Sequence, residues 1–167
     1  MMKSNSKSEQ KSRTNSDGWR YSPSEREVKP WGSVALLMEN TASEVTGQRL
    51  IDVSWLAGLI DGEGCMRMGS SPSVTVESTC RTVIEECNRI ISGGCSPVKR
   101  RTSLGRPVFR WRLHGDKAIK ACITVAPFLK DKKEQAILLA SIYNYPPNSA
   151  MRDAIIRRLK IMKKVSL

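Results

Sequence analysis

The sequence predicts an α+β domain: a single antiparallel sheet with helices along one face and the other face open. Three observations carry this. Four short stretches alternate apolar and polar residues with the period of two that half-buried strands need. Helix-spaced apolar residues precede each pair of these stretches, and a long helical region follows the second pair, giving helix, two strands, helix, two strands, helices. Every strand has one apolar and one polar face, as a sheet needs when helices back one side and something polar meets the other.

The first segment differs from the rest. Residues 1–50 read as a low-complexity extension, and residues 51–167 as the folded domain. Met1 to Pro30 is rich in Ser, Lys, Glu and Asn with little to bury, so it is expected to be disordered alone. Trp19, Tyr21 and Trp31 are the exceptions. Over residues 1–50, eight basic against six acidic residues argue against an acid-poor transit peptide. It reads as a solvated leader or as a basic tail touching phosphates.

The first helix is predicted through Trp55-Leu56-Ala57-Gly58-Leu59-Ile60-Asp61-Gly62-Glu63-Gly64, capped by Asp52 or Ser54. Gly58 and Gly62 lie four apart and share a face, with Ala57 and Asp61 beside them. A face so nearly free of side chains lets another helix approach closely. Glu63 falls where the helix should stop, between two glycines. A carboxylate there opposes the negative end of the helix dipole and meets unpaired carbonyls. That is unfavourable for stability and suited to a hard cation such as Mg²⁺. The alternative is a surface turn whose acids are merely solvated.

Cys65 to Gly69 and Ser73 to Glu77 form the first strand pair, with Ser70-Ser71-Pro72 as the turn. Met66, Met68, Val74 and Val76 should face the core, leaving Cys65, Arg67, Ser73, Thr75 and Glu77 on the open face. Thr82 to Ser92 places Val83, Cys87, Ile90 and Ile91 at helical spacing, stopped by Gly93-Gly94. The second pair is Pro97 to Arg101 and Pro107 to Leu113, with a turn near Leu104-Gly105. Phe109, Trp111 and Leu113 alternate with Val108, Arg110 and Arg112. The remainder is helical: Lys117 to Ala126, Asp131 to Tyr143, and Ser149 to about Lys164 after a Pro146-Pro147 break.

Charge suggests what the open face meets. The chain carries a net charge of +12 and a sequence pI near 9.8, which favours a polyanion. Between residues 99 and 112 stand Lys99, Arg100, Arg101, Arg106, Arg110 and Arg112, with no acid. A two-stranded ribbon can enter the major groove of DNA, where Arg pairs bidentately with guanine. The alternative is an edge hairpin kept basic against aggregation. Alternation points Arg67, Thr75, Glu77, Lys99, Arg101, Arg110 and Arg112 towards such a groove.

Composition excludes other classes. No apolar run approaches the length of a membrane span. A single histidine, His114, removes most zinc and imidazole-based mechanisms. Cysteines 65, 80, 87, 95 and 122 form no CxxC pair and are odd in number, as expected of an intracellular, reducing compartment.

Leu56 to Gly64 reads L-A-G-L-I-D-G-E-G and resembles the nine-residue signature of LAGLIDADG homing endonucleases, with seven positions identical. The departures, Gly62 for Ala and Glu63 for Asp, keep size and charge. The resemblance covers about Ser54 to Tyr143. It implies an α-β-β-α-β-β-α fold with a saddle-shaped sheet over double-stranded DNA. It also implies Mg²⁺ or another divalent cation held by Glu63 and the Gly62 carbonyl. Pro127 to Ala136 is similar to the segment before the family's final helix, which makes Lys132 the candidate catalytic lysine. Some relatives place a Gln near the end of the second strand to position solvent; here the equivalent is about Ser78, a shorter side chain.

One signature helix supplies one carboxylate, and no second signature occurs in the chain. The resemblance therefore implies a homodimer joined through Leu56, Ala57, Gly58, Asp61 and Gly62, cutting a pseudo-palindromic site with short 3′ overhangs. Three functions remain at this point. The first is a free-standing or intron-encoded homing endonuclease. The second is a maturase that binds its intron RNA on the same basic sheet. The third is a DNA-binding regulator that does not cleave.

Overall fold

A computed structural model describes residues 46–101 and 104–165, the side chains of residues 100, 101 and 163–165 excepted. The elements run α1 (Gly47–Glu63), β1 (Gly64–Met68), β2 (Pro72–Ser78), α2 (Arg81–Ile90), β3 (Gly94–Arg101), β4 (Pro107–His114), α3 (Gly115–Val125), α4 (Lys133–Ser141) and α5 (Ala150–Val165). Single 3-10 turns, Ala126–Phe128 and Ile142–Asn144, follow α3 and α4. The sheet is antiparallel with order β1-β2-β4-β3. Each hairpin pairs within itself, and the two join through β2 and β4, so the second hairpin's return strand lies beside the first's.

Alternation sorts the two faces as expected. Met66, Val74, Val76, Trp111 and Leu113 are buried against the helices. Trp111 is the largest fully buried side chain, and its indole N–H donates to the Ile91 carbonyl at 3.1 Å. An aromatic of this size needs that partner, since a buried donor left unpaired costs about 1–3 kcal/mol. From α1 the core takes Val53, Leu56, Ala57 and Ile60, spaced along one helical face. From α2 it takes Ile84 and Cys87 rather than Val83, which is only half-buried.

Glycine is required where α1 meets β1. A Cβ on Gly64 would lie 2.5 Å from the Ile60 carbonyl oxygen and 2.7 Å from its Cα. These are backbone atoms of the preceding turn and cannot move aside. Gly64→Ala is therefore expected to destabilise the protein by about 2 kcal/mol, read as a lower urea midpoint with unchanged slope. An unchanged midpoint would show that the helix end can relax.

Several expectations are corrected. Helix α1 begins at Gly47, inside the stretch assigned to the N-terminal extension; residues 1–45 lie outside the described residues. Asp52 and Ser54 are not caps. Asp52 instead accepts Gln48 Nε2 at 2.9 Å and pairs with Arg89 on α2 at 2.9 Å. The Gln48 and Arg89 contacts hold its carboxyl below the usual range. The last strand pair is longer than expected, with β3 starting at Gly94 and β4 ending at His114. The helix placed from Asp131 starts at Lys133, because the preceding residues form a tied loop.

All five cysteines are free. Burial pushes the Cys122 thiol up to about 12, and burial with the neighbouring Cys95 does the same to Cys87, so both stay protonated core residues. No described helix is long and apolar enough to cross a membrane.

Candidate active site and nucleic-acid interface

Glu63 is the last residue of α1 and is exposed. Among the described residues it makes no hydrogen bond or ion pair, so its carboxylate is available. Directly behind it the helix ends, and the Gly64 amide closes the last turn on the Ile60 carbonyl. Gly62 is exposed beside it.

Lys132, singled out only by resemblance, lies against the end of the same helix. Its ammonium donates to the Ile60 carbonyl at 3.0 Å and to the Asp61 carbonyl at 2.5 Å. The negative pole of α1 is the favourable end for a cation. The Asp61 carboxylate turns the other way and accepts the backbone amides of Lys130 at 2.6 Å and Lys132 at 2.9 Å. Asp61 thus faces its own chain at the start of α4, where a dimer contact had been expected. Ser78 lies two residues beyond the Gly64–Val76 pair, at the same end of the sheet as Glu63. Its hydroxyl accepts the Cys80 amide at 3.1 Å and keeps its proton for a second partner.

The expected interface residues divide in two. Leu56 and Ala57 are fully buried in the chain's own core and are withdrawn as contact residues. Gly58 and Gly62 are exposed, and a Cβ built on either meets nothing within 4 Å. The exposed face of α1 continues through Trp55, 40 % exposed, and Ile51, 63 % exposed. Residues 51, 55, 58 and 62 form one stripe at helical spacing. The stripe was readable from periodicity, but Ala57 was grouped with the glycines because it too is small.

The open face of the sheet is basic and cross-linked. Arg110 reaches across to Glu77 with Nε and Nη2 on one carboxylate oxygen at 2.8 and 2.6 Å. Arg112 Nε donates to the Thr75 hydroxyl at 3.3 Å. Thr75, expected to face the groove, is only 4 % exposed. It sits on a central strand between Cys65 and Arg112, and the longer arginine covers it. Its contribution is to hold Arg112. Ser73 is likewise buried and donates to the Arg67 carbonyl at 3.4 Å. Arg67, Lys99 and Arg106 are exposed; the side chains of Arg100 and Arg101 lie outside the described residues.

A concavity of about 350 Å³ opens on this face, lined by Gly94, Ser96, Arg110, Arg112, His114 and Lys117 among others. His114 and Lys117 were not among the expected contact residues. Extending the Arg110-Arg112 alternation by one step would have found His114. Glu77 offsets one of these cations, which sets up an expected result. Glu77→Gln should strengthen non-specific DNA binding and steepen its salt dependence by about 0.9, one phosphate's worth. An unchanged slope would mean that Arg110 stays away from phosphate.

The donors around Glu63 suit a hard divalent cation: a carboxylate and helix-end carbonyl oxygen. No cluster of three or more His, Cys, Asp or Glu side chains is gathered among the described residues. A magnesium ion bound here would take its other ligands from water, phosphate or a second copy.

Comparison with protein-family models gives no match, and neither does comparison with curated proteins. Solved structures do match. The homing endonuclease I-CvuI, in complex with its target in the presence of calcium, superposes with a TM-score of 0.56. The match covers 68 % of this chain and 83 % of that one, at 18 % identity. The fold is that of a homing endonuclease. A second I-CvuI structure, in complex with the I-CreI target in magnesium and with the DNA not cleaved, matches with a TM-score of 0.51. It covers 71 % of this chain and 82 % of that one, at 21 % identity.

Proposed function

We propose that this chain is a site-specific DNA endonuclease. It acts as a homodimer on a long pseudo-palindromic target, makes a Mg²⁺-dependent double-strand cut and leaves short 3′ overhangs. One observation carries the reading: the end of the signature helix carries both an uncommitted carboxylate, Glu63, and the anchored ammonium of Lys132, next to a basic sheet. The two I-CvuI structures that share the fold, one in complex with its target and one with the I-CreI target, support DNA as the partner.

Each side chain then has a task. Arg67, Lys99, Arg106, Arg110 and Arg112 engage the duplex, with Arg112 steadied by Thr75 and Arg110 by Glu77. Glu63 and the Gly62 carbonyl would hold the divalent cation. When bound, that ion lowers the pKa of a water and offsets charge on the reacting phosphate. Lys132 presents positive charge where the phosphate gains negative charge and orders the attacking water. Ser78 keeps a hydroxyl proton free for the solvent there. Each chain supplies one such set, so two chains are needed for two strands, and the Ile51-Trp55-Gly58-Gly62 stripe is the surface that joins them.

The test uses purified protein and a plasmid carrying the uninterrupted host locus that flanks the gene. Mg²⁺ should linearise the plasmid at one site, and EDTA should abolish the cut. Binding without cutting in Mg²⁺ would transfer the function to a DNA-binding regulator. Preference for the intron RNA would transfer it to a maturase.

A further inference from the structure

Asp61 and Lys132 lie 71 residues apart in sequence, yet each charged side chain occupies the end of the other's helix. The Lys132 ammonium would be unfavourable at the start of its own α4, where a helix presents its positive pole, and instead sits on the last carbonyls of α1. The Asp61 carboxylate would be unfavourable at the end of α1, and instead takes two amides where the chain enters α4. The loop between them is tied at both ends. The Leu129 amide bonds the Val125 carbonyl, Leu129 is buried, and the Lys132 carbonyl accepts the Ala136 amide as the first turn of α4. Asp61 closes the middle of this loop with one oxygen on each of two amides. A lysine otherwise has a flexible four-carbon stem and many rotamers. Here the backbone beneath it is pinned two residues from Glu63.

We infer that Asp61 is a positioning residue: its carboxylate clamps residues 130–132 so that Lys132 Nζ is held on the last carbonyls of α1, the helix that ends in Glu63. This rests on the endonuclease reading for its effect on cleavage, but not for the position of the ammonium itself. Asp61 touches neither water nor phosphate in this scheme and acts through Lys132. Asp61→Asn keeps the volume but turns one acceptor into a donor that faces an amide. Asp61→Ser keeps a single acceptor on a shorter stem.

Two readouts test this. The first is acylation of full-length protein with an amine-reactive ester, followed by mass spectrometry of the Lys132 peptide. Lys132 is expected to react about tenfold faster in Asp61→Asn than in the unmodified chain, with an intermediate rate in Asp61→Ser, as a held amine becomes a free one. The second is single-turnover cleavage in Mg²⁺. Asp61→Asn should lower the rate constant about a hundredfold, with target affinity changed less than about threefold. Lys132→Ala should do the same, and the double variant should be no slower than Lys132→Ala alone.

A merely structural Asp61 predicts something else: losses that multiply in the double variant, and a Lys132 reactivity that does not change. Either result would overturn the inference. If the unmodified chain cuts nothing, the endonuclease reading fails, while Lys132 reactivity still decides whether Asp61 holds the ammonium. Circular dichroism and thermal midpoints of each variant separate unfolding from loss of position.

Discussion

Glu63→Gln should abolish strand cleavage while leaving DNA binding intact. The substitution keeps the side chain's size and an oxygen, and removes the charge by which Glu63 would hold a hard cation. Glu63 is exposed and unpaired among the described residues, so no structural contact is lost with it. The fold should be unaffected, because the core on α1 is built from Val53, Leu56, Ala57 and Ile60 on the opposite side. Target affinity should stay within about threefold, or tighten slightly as one negative charge leaves the neighbourhood of phosphate. The single-turnover rate in Mg²⁺ should fall by about a thousandfold or more, the scale expected when a metal-ion mechanism loses its anchoring carboxylate. Gel-shift titration and cleavage time courses on one DNA fragment measure both. Retained cleavage would remove Glu63 from the chemistry altogether.

The second large effect is expected on the α1 face. Gly58→Leu places four carbons where the chain itself has nothing within 4 Å. Within the protomer this should be neutral or stabilising, since leucine is favoured over glycine in a helix by about 0.8 kcal/mol. Across a close helix crossing it should be disruptive, because the backbones can approach only where side chains are absent. Sedimentation velocity is expected to show a dimer for the unmodified chain and a monomer for the variant over the same concentration range. The dissociation constant should rise at least about a hundredfold, about 2.7 kcal/mol of association energy. Double-strand cleavage at nanomolar protein should disappear with it, and the thermal midpoint of the protomer should not fall. A variant that remains dimeric and active would place the interface elsewhere, and Trp55 and Ile51 would then need another explanation.

Much of the fold was readable because its signals are local. Alternation on Cys65–Gly69, Ser73–Glu77 and Pro107–Leu113 marks both the strands and their inward faces, and Trp111 and Val76 are buried as that pattern requires. What alternation cannot report is cover. Thr75 points to the open face and is still buried, because its neighbour across the sheet is an arginine long enough to lie over it. The start of α1 was missed for a similar reason. Asp52 has the chemistry of a cap, but its partners are Gln48 one turn back and Arg89 on another helix, and only folding brings Arg89 near.

The site was legible in part. Glu63 could be singled out from residue type and position alone. Lys132 could not, since a lysine near a helix start is ordinarily solvated, and only the resemblance to a family segment placed it. Its bonds to the Ile60 and Asp61 carbonyls, and the amide bonds that the Asp61 carboxylate accepts in return, join stretches 69 to 72 residues apart. The sequence expectation groups Leu56 and Ala57 with Gly58 and Gly62 as partner contacts, Ala57 because it too is small. Helical spacing instead puts them on the core side and leaves Ile51, Trp55, Gly58 and Gly62 outside. The motif's letters pointed to the right helix; its face had to be read from burial.

Each of two chains is expected to contribute one Glu63 to one strand of the same site. Mixed dimers test it directly. Unmodified and Glu63→Gln chains would be co-refolded in equal amounts and added, in Mg²⁺, to supercoiled plasmid carrying the target. Half of the dimers should be mixed and should cut a single strand, so open-circular plasmid should accumulate well beyond the amount formed by the unmodified protein alone. Linear product that merely falls in proportion to the unmodified chain, with no rise in nicked plasmid, would contradict one carboxylate per strand.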